Sequence, residues 1–330
     1  MRLVKGLFVF AILLALALAG WLAYFALHPL SLPRTPFDFT VRTGAGLKAV
    51  SRQLANDGLF PEGESLWVLA RLMGKAPTVQ AGTYRLDAPI TPLELLDKLS
   101  RGDVMLVEMR FLEGTTFRQW LGQLARQSQL RQTLGGKTAA DVAALLEVGH
   151  ESPEGWLFPD TYRFAPGVSD IELLKRAHGA MKKRLDAAWS TRAPEVPLAT
   201  PYEALIMASI VEKETGAAAE RPLIASVFYN RIRKGMRLQT DPTVIYGMGE
   251  KYDGNIRKRD LTTDTPWNTY TRDGLPPTPI AMPGGASLDA VSRPAQTEFL
   301  YFVGKGDGTH QFSRTLEEHN RAVAKYQLGK

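Results

Sequence analysis

Between Gly6 and Leu27 the chain reads GLFVFAILLALALAGWLAYFAL and carries no charge. About 20 apolar residues cross a bilayer as a helix. Residues 7–27 are therefore expected to form a single transmembrane anchor. Ala17-Leu18-Ala19 also fits the A-x-A cleavage site of a secretory signal. The apolar run continues for eight residues past Ala19, which favours retention. Arg2 and Lys5 precede the span, and no Lys or Arg comes after it until Arg34. The positive-inside preference then leaves residues 1–6 in the cytoplasm and the body of the chain on the other side. Trp21 and Tyr24 fall near the outer end, where amphipathic rings favour the interface. The Pro-rich stretch 28–36, HPLSLPRTP, reads as a linker.

The composition is that of an ordinary globular protein, 45% hydrophobic and 22% charged, in a chain of 330 residues. The net charge of +6 is spread along the sequence, without the dense basic stripe of a nucleic-acid arm. There is no cysteine, which excludes disulfides, thiolate metal sites, a cysteine nucleophile and an acylated lipoprotein anchor. Five scattered histidines without HExxH spacing give no reason to expect a metal, and no cofactor is expected.

The body reads as α+β throughout. Over residues 37–130 a short strand, a turn and a helix recur three times. The helices show apolar spacing at Leu47, Val50 and Leu54, then at Leu93, Leu96 and Leu99 after a Thr91 cap and Pro92. The third has Phe117, Trp120 and Leu124. Such units imply one or two small α+β modules. Residues 131–330 are expected to form a second, mixed domain. Within it, 131–153 look helical, and GWLFPDTYRF (155–164) is dense in aromatics that form either a core edge or a platform for sugar rings. Helices are expected over 171–189, 201–214 and 221–235. MRLQTDPTVIYGMG reads as a polar turn between apolar segments, 255–285 as nearly all loop, and 299–313 as a β-hairpin.

The run EALIMASIVEKE ends an almost wholly apolar helix with two acids, Glu212 and Glu214. At about 100° per residue they point about 200° apart and cannot serve one cleft as a pair. Glu214 shares a stripe with Met207, Ile210 and Val211; Glu212 falls in line with Leu205, Ala208 and Ser209. A buried carboxyl is costly unless it is paired or stays protonated, and a carboxyl protonated near neutrality suits general-acid chemistry. Pairing with Arg221, Arg231 or Arg237 is the structural alternative, and pattern alone does not choose between the two acids.

Several ordered blocks carry a resemblance: EGWLFPDTY, ASIVEKET, VFYNRIRKGMRLQTDPTVIYGMG, NTYTRDGLPPTPIAMPG and YFVGKGDGTHQFS. Together with the single N-terminal anchor they resemble the YceG-like family of MltG-type endolytic murein transglycosylases, over residues 37–325. The resemblance implies a lytic transglycosylase held in the inner membrane, its catalytic domain in the periplasm behind a LysM-like module at 37–130. It implies Glu214, the second acid of the Glu-Lys-Glu run, as the catalytic residue, with Glu212 orienting a neighbour. It implies nascent peptidoglycan strands as substrate, cleaved between MurNAc and GlcNAc to give 1,6-anhydroMurNAc ends, and peptidoglycan synthases as partners.

A lone acid suits that reaction, because no water has to be activated, whereas hydrolytic glycosidases usually need two carboxylates. Uncharged polar groups are then expected around the sugar: Gln239, Thr240, Asn268 and Tyr270, with Asn230 and Tyr162 as further candidates. Asp241 is either a substrate contact or a turn residue before Pro242. Two rivals stand beside this reading. A pyridoxal-phosphate lyase would need a Schiff-base lysine, but Lys213 between two acids is more simply an ion-pair partner. A non-catalytic peptidoglycan-binding scaffold would keep the fold without the chemistry.

Overall fold

In Phe37–Val41 the apolar residues alternate, and Phe37, Phe39 and Val41 all point into one core. A computed structural model describes residues 2–74 and 79–329 of the chain. Met1, part of the expected cytoplasmic segment 1–6, lies outside them. By internal contacts the chain divides into two units: residues up to Val107 with Arg163–Pro166, and Glu108–Tyr162 with Gly167 onward.

The first unit begins with helix α1 (Arg2–Leu27). Its Phe8–Leu27 stretch is long and apolar enough to cross a membrane, a property shared by anchors and signal sequences. Strand β1 (Phe37–Val41) pairs antiparallel with β2 (Gly82–Leu86) in the register Phe37↔Leu86, Phe39↔Tyr84 and Val41↔Gly82. On the outer face Arg85 donates twice to the Asp38 carboxylate, at 2.8 and 2.7 Å. Between the strands run α2 (Leu47–Asn56) and α3 (Ser65–Leu72), and α4 (Pro92–Arg101) comes after β2. The Thr91 hydroxyl accepts the Glu94 N–H, and the Glu94 carboxylate accepts from Thr91, which makes a capping box with Pro92 at its first helical position. Leu54, Leu66, Leu95, Leu96 and Leu99 fill the core.

The second unit is mainly helical. Short strands β3 (Val107–Arg110) and β4 (Thr161–Phe164) stand at its chain entry points, with α5 (Phe117–Arg126) and α6 (Ala139–Leu145) between them. Then come α7 (Asp170–Ser190), α8 (Pro201–Glu214), α9 (Arg221–Arg233), α10 (Asp241–Met248), α11 (Lys258–Thr262) and α12 (Gly285–Ser292). An antiparallel hairpin, β5 (Tyr301–Gly304) with β6 (His310–Ser313), and α13 (Leu316–Tyr326) close the chain. Helix α8 is the axis of this unit. Thr200 caps it by accepting the Glu203 N–H, Pro201 opens it, and every residue from Ala204 to Val211 is buried. Helices α7, α9 and α12 pack around it, and the Tyr229 hydroxyl bonds the Val291 carbonyl at 2.7 Å.

Two stretches differ from the sequence expectation. Only α6 is helical within 131–153, because Gly135-Gly136 and the Glu147 and Gly149 left-handed positions bound it closely. The expected polar turn at TDPTVIYGM is helix α10: Asp241-Pro242 sits in a first helical turn, where proline loses no hydrogen bond. Thr243 and Val244 are its buried residues.

Candidate active site

Helix α8 stops at Glu214 because Thr215 turns to extended backbone, φ −145° and ψ 137°, and its hydroxyl accepts the Ala217 N–H at 2.9 Å. This leaves the two acids in different surroundings. Glu212 is enclosed, with 5% of its side chain exposed. It accepts from Arg221 at 3.3 Å, from the Gly284 N–H at 2.9 Å and from the Ser287 hydroxyl at 2.7 Å. The last two lie in the opening turn of α12, where a carboxylate satisfies free N–H groups and the helix dipole. Glu212 is a strut between α8, α9 and α12. Beside it burial, and then the charge of Glu212, hold the Glu113 carboxyl above the usual range.

Glu214 faces a cleft of ≈ 460 Å³. Among the described residues it takes part in no ion pair. Its partner is the Thr240 hydroxyl, which donates to one carboxylate oxygen. Burial pushes the Glu214 carboxyl up to about 7; the Thr240 bond opposes the rise, Asp241 adds to it, and the charges of His310 and Arg231 oppose it. A carboxyl that holds its proton near neutrality is a general acid.

The opposite wall is the Gln239-Thr240-Asp241 segment, laid against the loop 268–270. The Gln239 N–H donates to the Thr269 carbonyl at 3.1 Å, and the Thr240 N–H to the Thr269 hydroxyl at 3.0 Å. Gln239 has φ +51°, a left-handed conformation unusual for a residue with a side chain. The Tyr270 hydroxyl donates to Asp241 at 2.5 Å. Gln239, Thr240, Asp241 and Tyr270 thus meet Glu214 in one cleft.

The other residues singled out from sequence lie elsewhere. Asn268 is fully buried, and its amide donates to the carbonyls of Asp260, Leu261 and Thr263. Its side-chain oxygen accepts the Tyr270 N–H at 2.8 Å, so it shapes the loop behind the cleft. Asn230 donates to the Thr297 and Phe299 carbonyls and borders a separate cavity. Tyr162 is buried with its hydroxyl on the Phe158 carbonyl at 2.6 Å. Of the aromatic stretch, Leu157, Phe158, Tyr162 and Phe164 are buried, while Trp156 is half-buried and stacks in parallel with Tyr202.

Pattern reasoning named Arg231 only as an ion-pair partner and passed over two histidines of the cleft. Arg231 donates to the Leu300 and Leu238 carbonyls, both at 2.7 Å, and lies under the Tyr301 ring. His310 lines the cleft with its ring bonded to Glu220. His319, on α13, also reaches it. Arg231 lies in the VFYNRIRKG block and His310 in the GKGDGTHQFS block; His319 carried no such signal.

A carboxyl with a raised pKa at the end of a buried helix, facing a polar groove, is an arrangement that suits proton transfer. The YceG-like family matches residues 39–325, and the chain belongs to that family. It is 31% identical over 313 residues to an endolytic murein transglycosylase of Bacillus subtilis (strain 168), covering 89% of this chain and 85% of that protein. It is 27% identical over 318 residues to an endolytic murein transglycosylase of Streptococcus pneumoniae serotype 2, covering 86% of this chain and 57% of that protein. A crystal structure of a yceG-like protein from Listeria monocytogenes superposes with a TM-score of 0.58 at 29% identity, covering 87% of this chain and 98% of that one.

Proposed function

We propose that this chain is an endolytic murein transglycosylase that cuts glycan strands of peptidoglycan with Glu214 as its acid. The observation that carries the reading is the Glu214 carboxyl in a polar cleft, bonded to Thr240 and without an ion pair among the described residues. Family membership and the similarity to two endolytic murein transglycosylases support the substrate class.

In the proposed reaction Glu214 gives its proton to the glycosidic oxygen between MurNAc and GlcNAc as the C1–O bond breaks. The C6 hydroxyl of MurNAc closes on C1, and the Glu214 carboxylate takes its proton. The product carries a 1,6-anhydroMurNAc end, and the acid is restored. Proton transfer of this kind contributes about 10²–10⁴-fold, and binding of a distorted sugar supplies more. Gln239, Thr240 and Tyr270 surround the sugar as uncharged polar groups, while Asp241 is occupied by the Tyr270 hydroxyl.

Helix α1 is proposed to be a retained inner-membrane anchor with the catalytic unit in the periplasm; the length of its Phe8–Leu27 stretch supports the anchor, and the Arg2 and Lys5 charges ahead of that stretch support the orientation. A LysM-like module over 37–130 and contact with peptidoglycan synthases belong to the same proposal. The small two-stranded sheet with its helices supports an α+β body over residues 37–107, while residues 108–130 belong to the other unit.

The test is mass spectrometry of products from the full-length protein in detergent with uncrosslinked strands, wild type beside Glu214→Gln. Internal fragments with 1,6-anhydro ends, lost in the variant, are expected. Reducing ends would instead mean that water attacks, with Asp241 the carboxylate to examine first.

A further inference from the structure

The cleft lining includes His310, whose ring bonds Glu220, an assembly that the proposed reaction does not use. The Glu220 carboxylate, just ahead of α9, takes two bonds from His310 on β6. One oxygen accepts the backbone N–H at 2.9 Å and the other bonds ring Nδ1 at 2.7 Å. Both side chains are largely enclosed, with 16% of His310 and 13% of Glu220 exposed. Burial raises the Glu220 carboxyl, but the His310 backbone and ring bonds and its charge outweigh burial and hold it below its usual range.

A strut between the hairpin and α9 needs only the first of these bonds, since the backbone N–H already ties β6 to Glu220. The ring bond does something else. A carboxylate only accepts, so it places a ring hydrogen on Nδ1, and in the neutral ring Nε2 then keeps its lone pair. Among the described residues no group bonds Nε2. The Phe302 ring stands perpendicular to the imidazole at 5.4 Å and holds its plane. His310 also lines the same cleft as Glu214.

Two carboxylates of the cleft each have one oxygen already engaged. One Glu214 oxygen takes the Thr240 hydroxyl, and the Asp241 carboxylate takes the Tyr270 hydroxyl. A sugar ring of peptidoglycan, by contrast, is rich in donors, its hydroxyls and its acetamido N–H.

We propose that His310, held in one tautomer by Glu220, touches the substrate and accepts at Nε2 a hydrogen bond from a donor of the sugar bound at Glu214. No proton is transferred to His310. The Glu220 carboxylate behind the ring strengthens the acceptor, as a carboxylate does behind an imidazole ligand of a metal. This rests on the function proposed above for the choice of sugar, and on the geometry alone for the contact.

The experiment reads the contact directly. Full-length protein carrying Glu214→Gln, labelled with ¹⁵N histidine in detergent micelles, is titrated with uncrosslinked peptidoglycan strands. The His310 resonances are assigned by their loss in His310→Gln. The expected result is an unprotonated Nε2 that shifts on adding strands, while Nδ1 keeps its hydrogen. An Nε2 signal that does not move, or that already carries hydrogen, overturns the proposal.

In the enzyme with Glu214 intact, His310→Phe and Glu220→Gln should each lower kcat/KM about tenfold or more. The double variant should lose little beyond the worse single one. His310→Gln, which keeps an acceptor near the Nε2 position, should recover much of the loss without a change in Tm. A loss equal in Gln and Phe would mean a packing role and overturn the proposal. Strands with the acetamido groups removed separate the two donor sources: a lost Nε2 shift assigns the N–H, a kept one a hydroxyl. If Glu214→Gln still cleaves, the choice of acid fails while the Nε2 readout stands.

Discussion

The Thr240 hydroxyl donates to a Glu214 carboxylate oxygen from the N-cap position of α10, and makes no bond to its own helix. Threonine at that position ordinarily turns its oxygen onto the first N–H groups, a bond worth about 1 kcal/mol. Here Gln239 takes a left-handed backbone conformation, and the Thr269 carbonyl and hydroxyl hold the segment from behind. The forgone cap and the unusual backbone are tolerated where the chain aims a donor at the acid, as local rules are often broken at functional sites.

Replacing Thr240 with Val keeps the shape and removes the donor. The bond lowers the Glu214 pKa, so its loss raises it further. The alkaline limb of kcat/KM is expected to move to higher pH in Thr240→Val. The maximal rate should fall about 10- to 150-fold, as for a lost bond of about 1.5–3 kcal/mol to a charged group. A limb that stays in place, measured by release of anhydro ends across pH, would refute the link.

In the wild type the acid must be protonated in the free enzyme. With Glu214 at about 7, kcat/KM is expected to fall as pH rises through that value. Glu154 has a similar value, about 7, but it caps α5 by accepting the Phe117 N–H and also accepts from the Tyr246 hydroxyl. Glu154→Gln should therefore leave the limb where it is, which separates the two carboxyls in one titration series.

Glu154 should instead appear in stability. Burial raises its pKa from 4.5 unfolded to about 7 folded, so between these values the native state holds a proton that the unfolded chain has lost. Its contribution is complete below pH 4.5, declines as pH rises, and is gone above about 7, a fall of about 3 kcal/mol for this one group. Urea unfolding at pH 5 and pH 8 should show a clearly smaller difference for Glu154→Gln than for wild type. Equal differences would place the raised pKa elsewhere.

Glu212 and Arg221 predict a different pattern. Glu212→Ala strands a buried guanidinium and frees the N–H of Gly284, which should cost about 3–5 kcal/mol. The loss should show as a lower Tm of the catalytic unit, with the alkaline limb unmoved. Adding Arg221→Leu should return part of the stability, because the uncompensated charge is then gone. A double variant no better than Glu212→Ala would mean that the helix α12 contacts, not the charge, carry the loss.

Much of the second unit was legible because its signals are local. Thr200 before Pro201 announces α8, and the two acids at its end stand out against eight buried residues. The hairpin around GKGDGTH and the cap at Thr91 are equally local. Periodicity separates Glu212 from Glu214 but does not name the neighbours of either, since Arg221, Gly284 and Ser287 come from other parts of the chain. For the same reason Asn230 and Asn268, polar residues in polar motifs, read as sugar contacts, whereas their amides bond backbone carbonyls. Asp241-Pro242 read as a turn because the same pair opens turns and helices alike, and only the packing of Thr243 and Val244 decides.

Two motifs far apart in the chain meet at Gly155. This residue, in EGWLFPD, has φ +80°, and a Cβ there would lie 2.5 Å from both Cβ and Cγ of Pro279. Pro279 belongs to the loop that leads to Ile280, whose N–H donates to Ser209 inside α8 at 3.0 Å. Gly155→Ala would meet both a forbidden backbone region and a rigid ring, so the loop must shift. Such a shift pulls on α8 a little over one turn before Glu214. The expected outcome is a loss of about 2 kcal/mol or more in stability with a fall in kcat, since displacement by even about 1 Å degrades an aligned acid. Pro279→Ala in the Gly155→Ala background relieves the contact but not the backbone strain, and should return part of both. If it returns neither, strain at φ +80° is the whole effect and the Pro279 contact is incidental.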